Sequence, residues 1–184
     1  AINTRTKGID VVLNMNKKIG EADLLVNIGA NFTKTRLFGK LKKAGNLPDD
    51  EVNANSLFSR EERGKLENGQ PSNKIILSVE YKKNRIGLLL RNTKFGKTAI
   101  LSSNQFTNAD EYFGSKILTD CSLNYHPSSW FTITAGANNL FKIYPDPLRD
   151  PRNTNEGLFI YGQEATPFGF NGGYYFVGMQ IRLN

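Results

Sequence analysis

Apolar and polar residues alternate position by position along much of this chain, and this period of two limits the folds that it can adopt. In the first such segment the apolar set is Ile9, Val11, Leu13 and Met15. Successive side chains of a β-strand point to opposite faces, so the alternation predicts strands with one apolar and one largely polar face. The pattern predicts seven strands, which cover residues 9–16, 24–33, 74–81, 86–95, 116–125, 130–137 and 174–183.

The connections between the predicted strands alternate strictly between short and long. Tight turns at residues 19–22, 82–85 and 126–129 follow the first, third and fifth strands, and longer loops follow the second, fourth and sixth. Consecutive connections of a meander lie at opposite ends of the sheet, so the tight turns share one end and the long loops the other. Outer-membrane barrels have this asymmetry, with short periplasmic turns and long external loops.

Helix is predicted only inside the loop after the second strand. Ser59 fits an N-cap and Glu62 completes a capping box, so a short helix or turn is expected over residues 59–66. A helical membrane protein is excluded, because no stretch approaches the roughly 18–20 uncharged apolar residues that a spanning helix needs.

Alternation by itself fits two architectures. A soluble sheet buries its apolar face against another layer, whereas a membrane barrel turns that face to lipid. Strand lengths near the roughly 9–11 residues needed to cross a bilayer favour the membrane barrel. So do aromatic residues at or near the strand ends, as in an interfacial girdle. These are Phe32, Tyr81, Tyr125, Trp130, Phe131, Tyr174 and Tyr175. The predicted fold is all-β, an antiparallel up-and-down meander forming part of a transmembrane β-barrel.

The net charge of +7 raises the question of nucleic-acid binding. The Lys and Arg residues are scattered, however, with acidic residues among them, and no basic stripe interleaves with aromatic residues on one face. Nucleic acid is therefore not an expected partner.

The inventory of reactive side chains is small. Cys121 is the sole cysteine and His126 the sole histidine, so a zinc centre of His and Cys ligands is excluded and no metal or cofactor is predicted. A Ser-His-acid triad would need His126, which falls in a predicted tight turn. The chain is therefore predicted not to be an enzyme, and an outer-membrane hydrolase would require His126 to act. Cys121 lies on the apolar face of its strand, where we expect a small lipid-facing side chain.

Several local strings resemble the C-terminal part of TonB-dependent outer-membrane receptors, in the same order and at similar spacing over essentially the whole chain. The most specific is Thr134-Ala135-Gly136-Ala137-Asn138-Asn139-Leu140-Phe141 followed by Tyr144-Pro145-Asp146. The others are Thr6-Lys7-Gly8-Ile9-Asp10, Leu57-Phe58-Ser59-Arg60-Glu61-Glu62, Thr119-Asp120 and Gly172-Gly173-Tyr174-Tyr175-Phe176-Val177-Gly178.

The resemblance implies a place and a role for the chain. Such receptors are plugged barrels of 22 strands in the bacterial outer membrane. They import scarce nutrients such as iron chelates, cobalamin or glycans with energy delivered by TonB. Residues 1–184 would then be a single segment, the C-terminal portion of the barrel, with the plug domain and the N-terminal strands outside it. The expected partners are those missing strands and plug or a second copy, TonB through the missing N-terminal part, and outer-membrane lipid.

The long loops carry the candidate ligand contacts. Aromatic side chains on external loops can stack on a ligand, or they can pack the loops against one another. The candidates are Tyr144, Phe159, Tyr161 and Phe168.

A second hypothesis comes from another class of protein. A soluble β-barrel that binds a small hydrophobic ligand would show the same alternation with the opposite orientation. Its inward-pointing side chains would be Val11, Val26, Leu77, Ile133 and Val177.

Overall fold

The structure, a computed structural model, describes residues 2–39 and 58–183, and Leu57 of the receptor-like strings lies outside these ranges. It contains nine strands and one α-helix within them. The strands are β1 (Asn3–Ile19), β2 (Ala22–Phe38), β3 (Asn73–Lys83), β4 (Ile86–Phe95), β5 (Thr98–Ile100), β6 (Glu111–Phe113), β7 (Lys116–Ser128), β8 (Phe131–Asn138) and β9 (Tyr174–Ile181). The helix is α1 (Arg60–Asn68).

Seven of the strands form one antiparallel sheet in the order β1-β2-β3-β4-β7-β8-β9. Each of them pairs with the next along the chain, so the sheet is the predicted up-and-down meander. All seven predicted strands are present, and the all-β fold is confirmed. β1 and β2 each have 17 residues and continue well past their predicted bounds at the long-loop end.

The connection between β4 and β7 contains structure that the sequence pattern did not predict. β5 and β6 pair there as a separate two-stranded sheet. Each has only three residues, too few for a period of two to be recognised.

The predicted tight turn at residues 126–129 is wrong in position. His126, Pro127 and Ser128 belong to β7, and the turn is Ser129-Trp130. The backbone N–H of His126 donates to the carbonyl oxygen of Arg85 at 2.8 Å, which extends the ladder between β7 and the turn before β4. Pro127 has no N–H to donate, and the β7–β8 register shifts between Tyr125 and Ser128.

The helix predicted near Ser59 is confirmed. Ser59 is its N-cap, with the hydroxyl accepting a hydrogen bond from the N–H of Glu62 at 3.2 Å. No helix among the described residues combines the length and the apolar character required to cross a membrane.

The register brings apolar side chains from all seven strands onto one face of the sheet. Leu13 lies opposite Ile28, which lies opposite Leu77 on the next strand. We call this surface the apolar band. It consists of Ile9, Val11, Leu13, Met15, Leu24, Val26, Ile28, Ala30, Phe32, Ile75, Leu77, Val79, Tyr81, Ile86, Leu88, Leu90, Ile117, Cys121, Leu123, Tyr125, Phe131, Ile133, Ala135, Ala137, Tyr175, Val177, Met179 and Ile181.

The apolar band is not covered by another part of the described chain. Leu13 is 58% exposed, Ile28 36% and Met179 74%. Cys121 lies in the band opposite Leu90 and Ala137, and it is partly exposed. Most buried apolar side chains lie instead at the long-loop end, among them Phe95, Ala99, Ala109, Phe113 and Ala165. The chain therefore has its small core under the loops and leaves the sheet face open.

The predicted aromatic positions fall at both ends of the sheet. Tyr81, Tyr125 and Phe131 border the apolar band at the turn end, and Phe32 and Tyr175 border it at the long-loop end.

Two of the predicted girdle residues are also at or next to strand ends but lie outside the apolar band. Trp130 lies in the turn, with its ring centroid 5.7 Å from that of Phe131. Tyr174 points to the opposite face of β9 and stacks on Phe176 with a centroid distance of 6.1 Å.

Candidate functional site at the long-loop end

Three connections meet at the long-loop end of the sheet. They are α1, residues 96–115 between β4 and β7, and residues 139–173 between β8 and β9, and we call them together the loop layer. β5 contacts α1 and a short 3-10 turn at Gln163–Ala165. The hydroxyl of Thr98 also donates a buried hydrogen bond of 2.8 Å to the carbonyl oxygen of Ala165. The loop layer is thus a packed structure with its own buried contacts.

The receptor-like string at the end of β8 forms a closed turn around Asn139. Asn139 is buried and has a positive φ of 49°. Its side-chain amide donates to the carbonyl oxygen of Ile143 at 2.8 Å, and its side-chain oxygen accepts from the N–H of Ile143 at 2.9 Å. Asparagine tolerates the left-handed conformation better than other residues with a side chain, which explains its use here.

A second receptor-like string, Thr119-Asp120, anchors the same turn to β7. The N–H of Asn139 donates to the Asp120 carboxylate at 2.8 Å, and the N–H of Leu140 donates to the carbonyl oxygen of Thr119 at 2.7 Å. Two strings that are separate in the sequence therefore act as one structural unit.

Asp146 of the Tyr-Pro-Asp string holds the loop to the beginning of β7. Its carboxylate accepts from the Lys116 ammonium at 2.5 Å and from the N–H of Gly114 at 2.7 Å. The hydrogen bond from Lys116 is the main cause that lowers the pKa of Asp146 below its ordinary value. The most specific of the sequence resemblances thus rests on residues that position the loops.

α1 is fixed to residues 96–115 by a two-pronged ion pair. The Arg60 guanidinium donates to both oxygens of Asp110 at 2.6 and 2.5 Å, and to the carbonyl oxygen of Ser102 at 2.6 Å. Asp110 also accepts from the N–H of Ser102 at 2.9 Å. The hydrogen bond with Arg60 lowers the pKa of Asp110, and the same bond raises the pKa of Arg60.

Glu111 carries a buried carboxylate that organises the loop between β8 and β9. Its oxygens accept from the backbone N–H groups of Arg149 and Asp150 at 2.8 and 3.2 Å, and from the side-chain amide of Asn153 at 2.8 Å. Sequence patterns included Arg60 in a receptor-like string but did not predict its pairing with Asp110 or the role of Glu111, because the partners are distant along the chain.

A cleft of about 270 Å³ lies between α1, β5 and the loop after β8. Its walls include the predicted candidates Phe159 and Tyr161. At its edge, the Lys65 ammonium is 2.9 Å from Glu164 and 3.0 Å from Glu62. The hydrogen bond from Glu164 is the largest cause that raises the pKa of Lys65.

The four aromatic candidates do not converge on one point. Tyr144 stacks on Tyr161 with a centroid distance of 6.3 Å, and Tyr161 stacks on Phe170 at 6.2 Å. Phe168 packs against the buried Phe95 at 5.4 Å. Of the four candidates, Phe159 and Tyr161 line the cleft, whereas Tyr144 and Phe168 do not.

His126 lies far from this layer, near the turn end of β7. Its Nδ1 is 2.8 Å from the Thr132 hydroxyl, and the ring is exposed. Among residues 2–39 and 58–183, the structure brings no three His, Cys, Asp or Glu side chains together as metal ligands.

The fold is that of a section of an antiparallel barrel wall with structured loops at one end. The chain is similar to a TonB-dependent receptor in the solved structure of the FpvAI–pyocin S2 complex, with a TM-score of 0.60 and 14% identity. The match covers 97% of this chain and 19% of that one. At this identity the similarity shows the fold alone. No protein-family model matches the sequence, and no curated protein does so either.

Replacing Asn139 tests the turn after β8. Asn139→Ala removes two hydrogen bonds and places alanine at positive φ. We therefore expect the free energy of unfolding, measured in urea, to fall by about 2–4 kcal/mol. Asn139→Gly removes the same hydrogen bonds, but glycine adopts a positive φ without strain, so this variant should lose clearly less unfolding free energy. Asn138→Ala, at an exposed neighbour, is the control. Equal losses for all three variants would contradict the stabilising role of Asn139 in this turn.

Neutralising Asp110 tests the anchoring of α1. Asp110→Asn should weaken the anchoring of α1 by about 1.5–3 kcal/mol at neutral pH. Amide hydrogen exchange in Arg60–Asn68 should then become roughly 10- to 150-fold faster. Because the folded pKa is lowered, the wild-type contribution is complete above the unfolded pKa of about 3.9 and disappears as the pH falls through the folded value. Glu61→Gln, on the exposed side of α1, is the control. Unchanged exchange in Asp110→Asn would show that the ion pair does not hold the helix.

Proposed function

We propose that this chain is a C-terminal wall section of a TonB-dependent outer-membrane transporter that imports a scarce nutrient of the iron-chelate, cobalamin or glycan class. The observation that carries the proposal is the apolar band, which runs across all seven strands in register and is uncovered. Its side chains need an apolar environment that the described chain does not supply. Lipid acyl chains supply it in a membrane barrel.

The soluble barrel is the less favoured alternative. It requires Val11 and Val177 to face an enclosed interior, yet their exposed fractions are 40% and 74%. The seven strands form an open sheet, with β1 and β9 as its edges. An interior for a small hydrophobic ligand would therefore have to be completed by something other than the described residues.

The loop asymmetry supports an orientation in the bacterial outer membrane. The three tight turns would face the periplasm, and the loop layer would face outward. In this orientation Phe159 and Tyr161 of the cleft are available to a ligand arriving from outside. TonB and the plug would act through parts of the receptor outside this chain, and the chain would carry no catalytic centre or cofactor.

Strand parity favours one way of completing the barrel. With seven alternating strands, β1 and β9 run in the same direction. Pairing β9 with β1, or with either edge of a second copy in the same membrane orientation, would therefore create a parallel junction. An all-antiparallel closure needs an odd number of further strands. A barrel of 22 strands leaves 22 − 7 = 15, which satisfies this condition, so we favour the remaining strands of the same receptor over a second copy.

Placing a charge in the apolar band tests the membrane assignment. In the protein that carries this chain, Val177→Arg should lower the urea unfolding free energy in lipid vesicles by about 2–4 kcal/mol, because the guanidinium would enter hydrocarbon. Gln180→Arg, on the opposite face of β9, should cost much less. A protein that stays soluble and folded without detergent, and tolerates Val177→Arg as well as Gln180→Arg, would refute the proposal.

The open edges give a separate prediction for residues 1–184 alone. Unpaired backbone groups at β1 and β9 are costly in an apolar medium, so native mass measurement in non-ionic detergent should show aggregates or mixed oligomers. Adding the preceding strands of the receptor should give one defined species. A stable, well-folded monomer of the isolated chain would contradict this expectation.

A further inference from the structure

The β1–β2 hairpin gathers four cationic side chains above the apolar band. Arg5 lies directly opposite Arg36, and Lys7 lies directly opposite Lys34. All four are exposed and in phase with Ile9 and Phe32, so they project from the same face as the band. We call them the cation cluster. In the sequence they occur as two distant pairs, and only the hairpin brings them together.

Like charges placed directly opposite each other destabilise an antiparallel pair. None of the described carboxylates forms a salt bridge with the cation cluster. The hairpin keeps this register along its whole ladder, which includes the apolar pair of Ile9 and Phe32, and on its other face the hydroxyls of Thr6 and Thr35 are 2.9 Å apart. Within the described residues no carboxylate offsets this repulsion, and an anionic ligand would relieve it.

The position of the cluster indicates where that ligand lies. The Lys7–Lys34 pair is two residues beyond the Ile9–Phe32 pair that ends the apolar band, roughly 7 Å along the strands. Lipid headgroups occupy the layer immediately outside the hydrocarbon. Arg5 lies two residues further from the band than Lys7, with its guanidinium carbon 4.8 Å from the centre of the Phe38 ring.

We propose that Arg5, Lys7, Lys34 and Arg36 bind the phosphate groups of a phosphorylated lipid in the leaflet at the long-loop end. Guanidinium groups bind phosphate oxygens in a bidentate manner, and ammonium groups add point charges. This inference rests on the proposed membrane placement, because it uses the apolar band as the neighbouring hydrocarbon layer. It adds a specific lipid site to a wall whose proposed lipid contacts are mainly apolar side chains.

The test measures lipid binding to the purified protein that carries this chain. The probes are lipid A with two phosphate groups, its fully dephosphorylated form, and inorganic phosphate, each added in non-ionic detergent and followed by native mass spectrometry. We expect Lys7→Gln with Lys34→Gln to weaken lipid A binding at least tenfold. Lys7→Arg with Lys34→Arg should retain it, because the charges remain.

A matched control uses the other rim of the same face. Lys17 and Lys83 lie on that face at the turn end, so Lys17→Gln with Lys83→Gln removes the same charge without touching the cluster. This control should bind lipid A like the wild type. The dephosphorylated lipid should bind the wild type and the Lys7/Lys34 double glutamine variant equally.

Three results would overturn the lipid site. They are equal binding of lipid A by the wild type and the Lys7/Lys34 double glutamine variant, equal loss in the turn-end control, and inorganic phosphate that binds the cluster as tightly as lipid A. Each can occur while Val177→Arg still destabilises the protein in vesicles, which would leave the membrane assignment standing. If Val177→Arg did not destabilise the protein in vesicles, the membrane assignment and the lipid site would both lose their basis.

Discussion

One face of this sheet is apolar across seven hydrogen-bonded strands, and the rest of the structure depends on how that face is kept from water. The register that aligns Leu13, Ile28 and Leu77 also places Asn14, Asn27 and Ser78 together on the opposite face. A shift of one residue in any strand would reverse both faces. The same hydrogen bonds that satisfy the backbone therefore also create a continuous surface suited to lipid. Apolar cover for this surface must come from outside the described residues.

The loop layer solves a different problem, which is how to order long connections without a large core. Carboxylates do much of this work. Asp110, Glu111, Asp120 and Asp146 each accept hydrogen bonds from backbone N–H groups of the loops, and two of them also pair with a cation. Such bonds are directional, so they fix the path of a loop where a few apolar contacts would not. A surface ordered in this way can hold a cleft in a constant shape.

The boundaries of the sheet carry the remaining information about partners. β1 and β9 run in the same direction, so an antiparallel closure of the proposed barrel would need an odd number of further strands. Above the apolar band, the opposed cations would attract the phosphate groups of the proposed lipid, and Phe159 and Tyr161 line the loop cleft. The two edge strands, the cation cluster and the cleft therefore present three different kinds of chemical group.

The sequence by itself determined the seven strands, their antiparallel order, the helix near Ser59 and the apolar face, because these depend on local periodicity and capping. Only the tertiary structure decided which distant side chains meet. In the structure Arg60 forms an ion pair with Asp110, and Lys7 lies opposite Lys34. His126, which was predicted in a turn, belongs to β7. Patterns along the chain report which face a residue occupies, but pairing across strands and loops depends on register and loop path. These are settled only when the whole sheet forms.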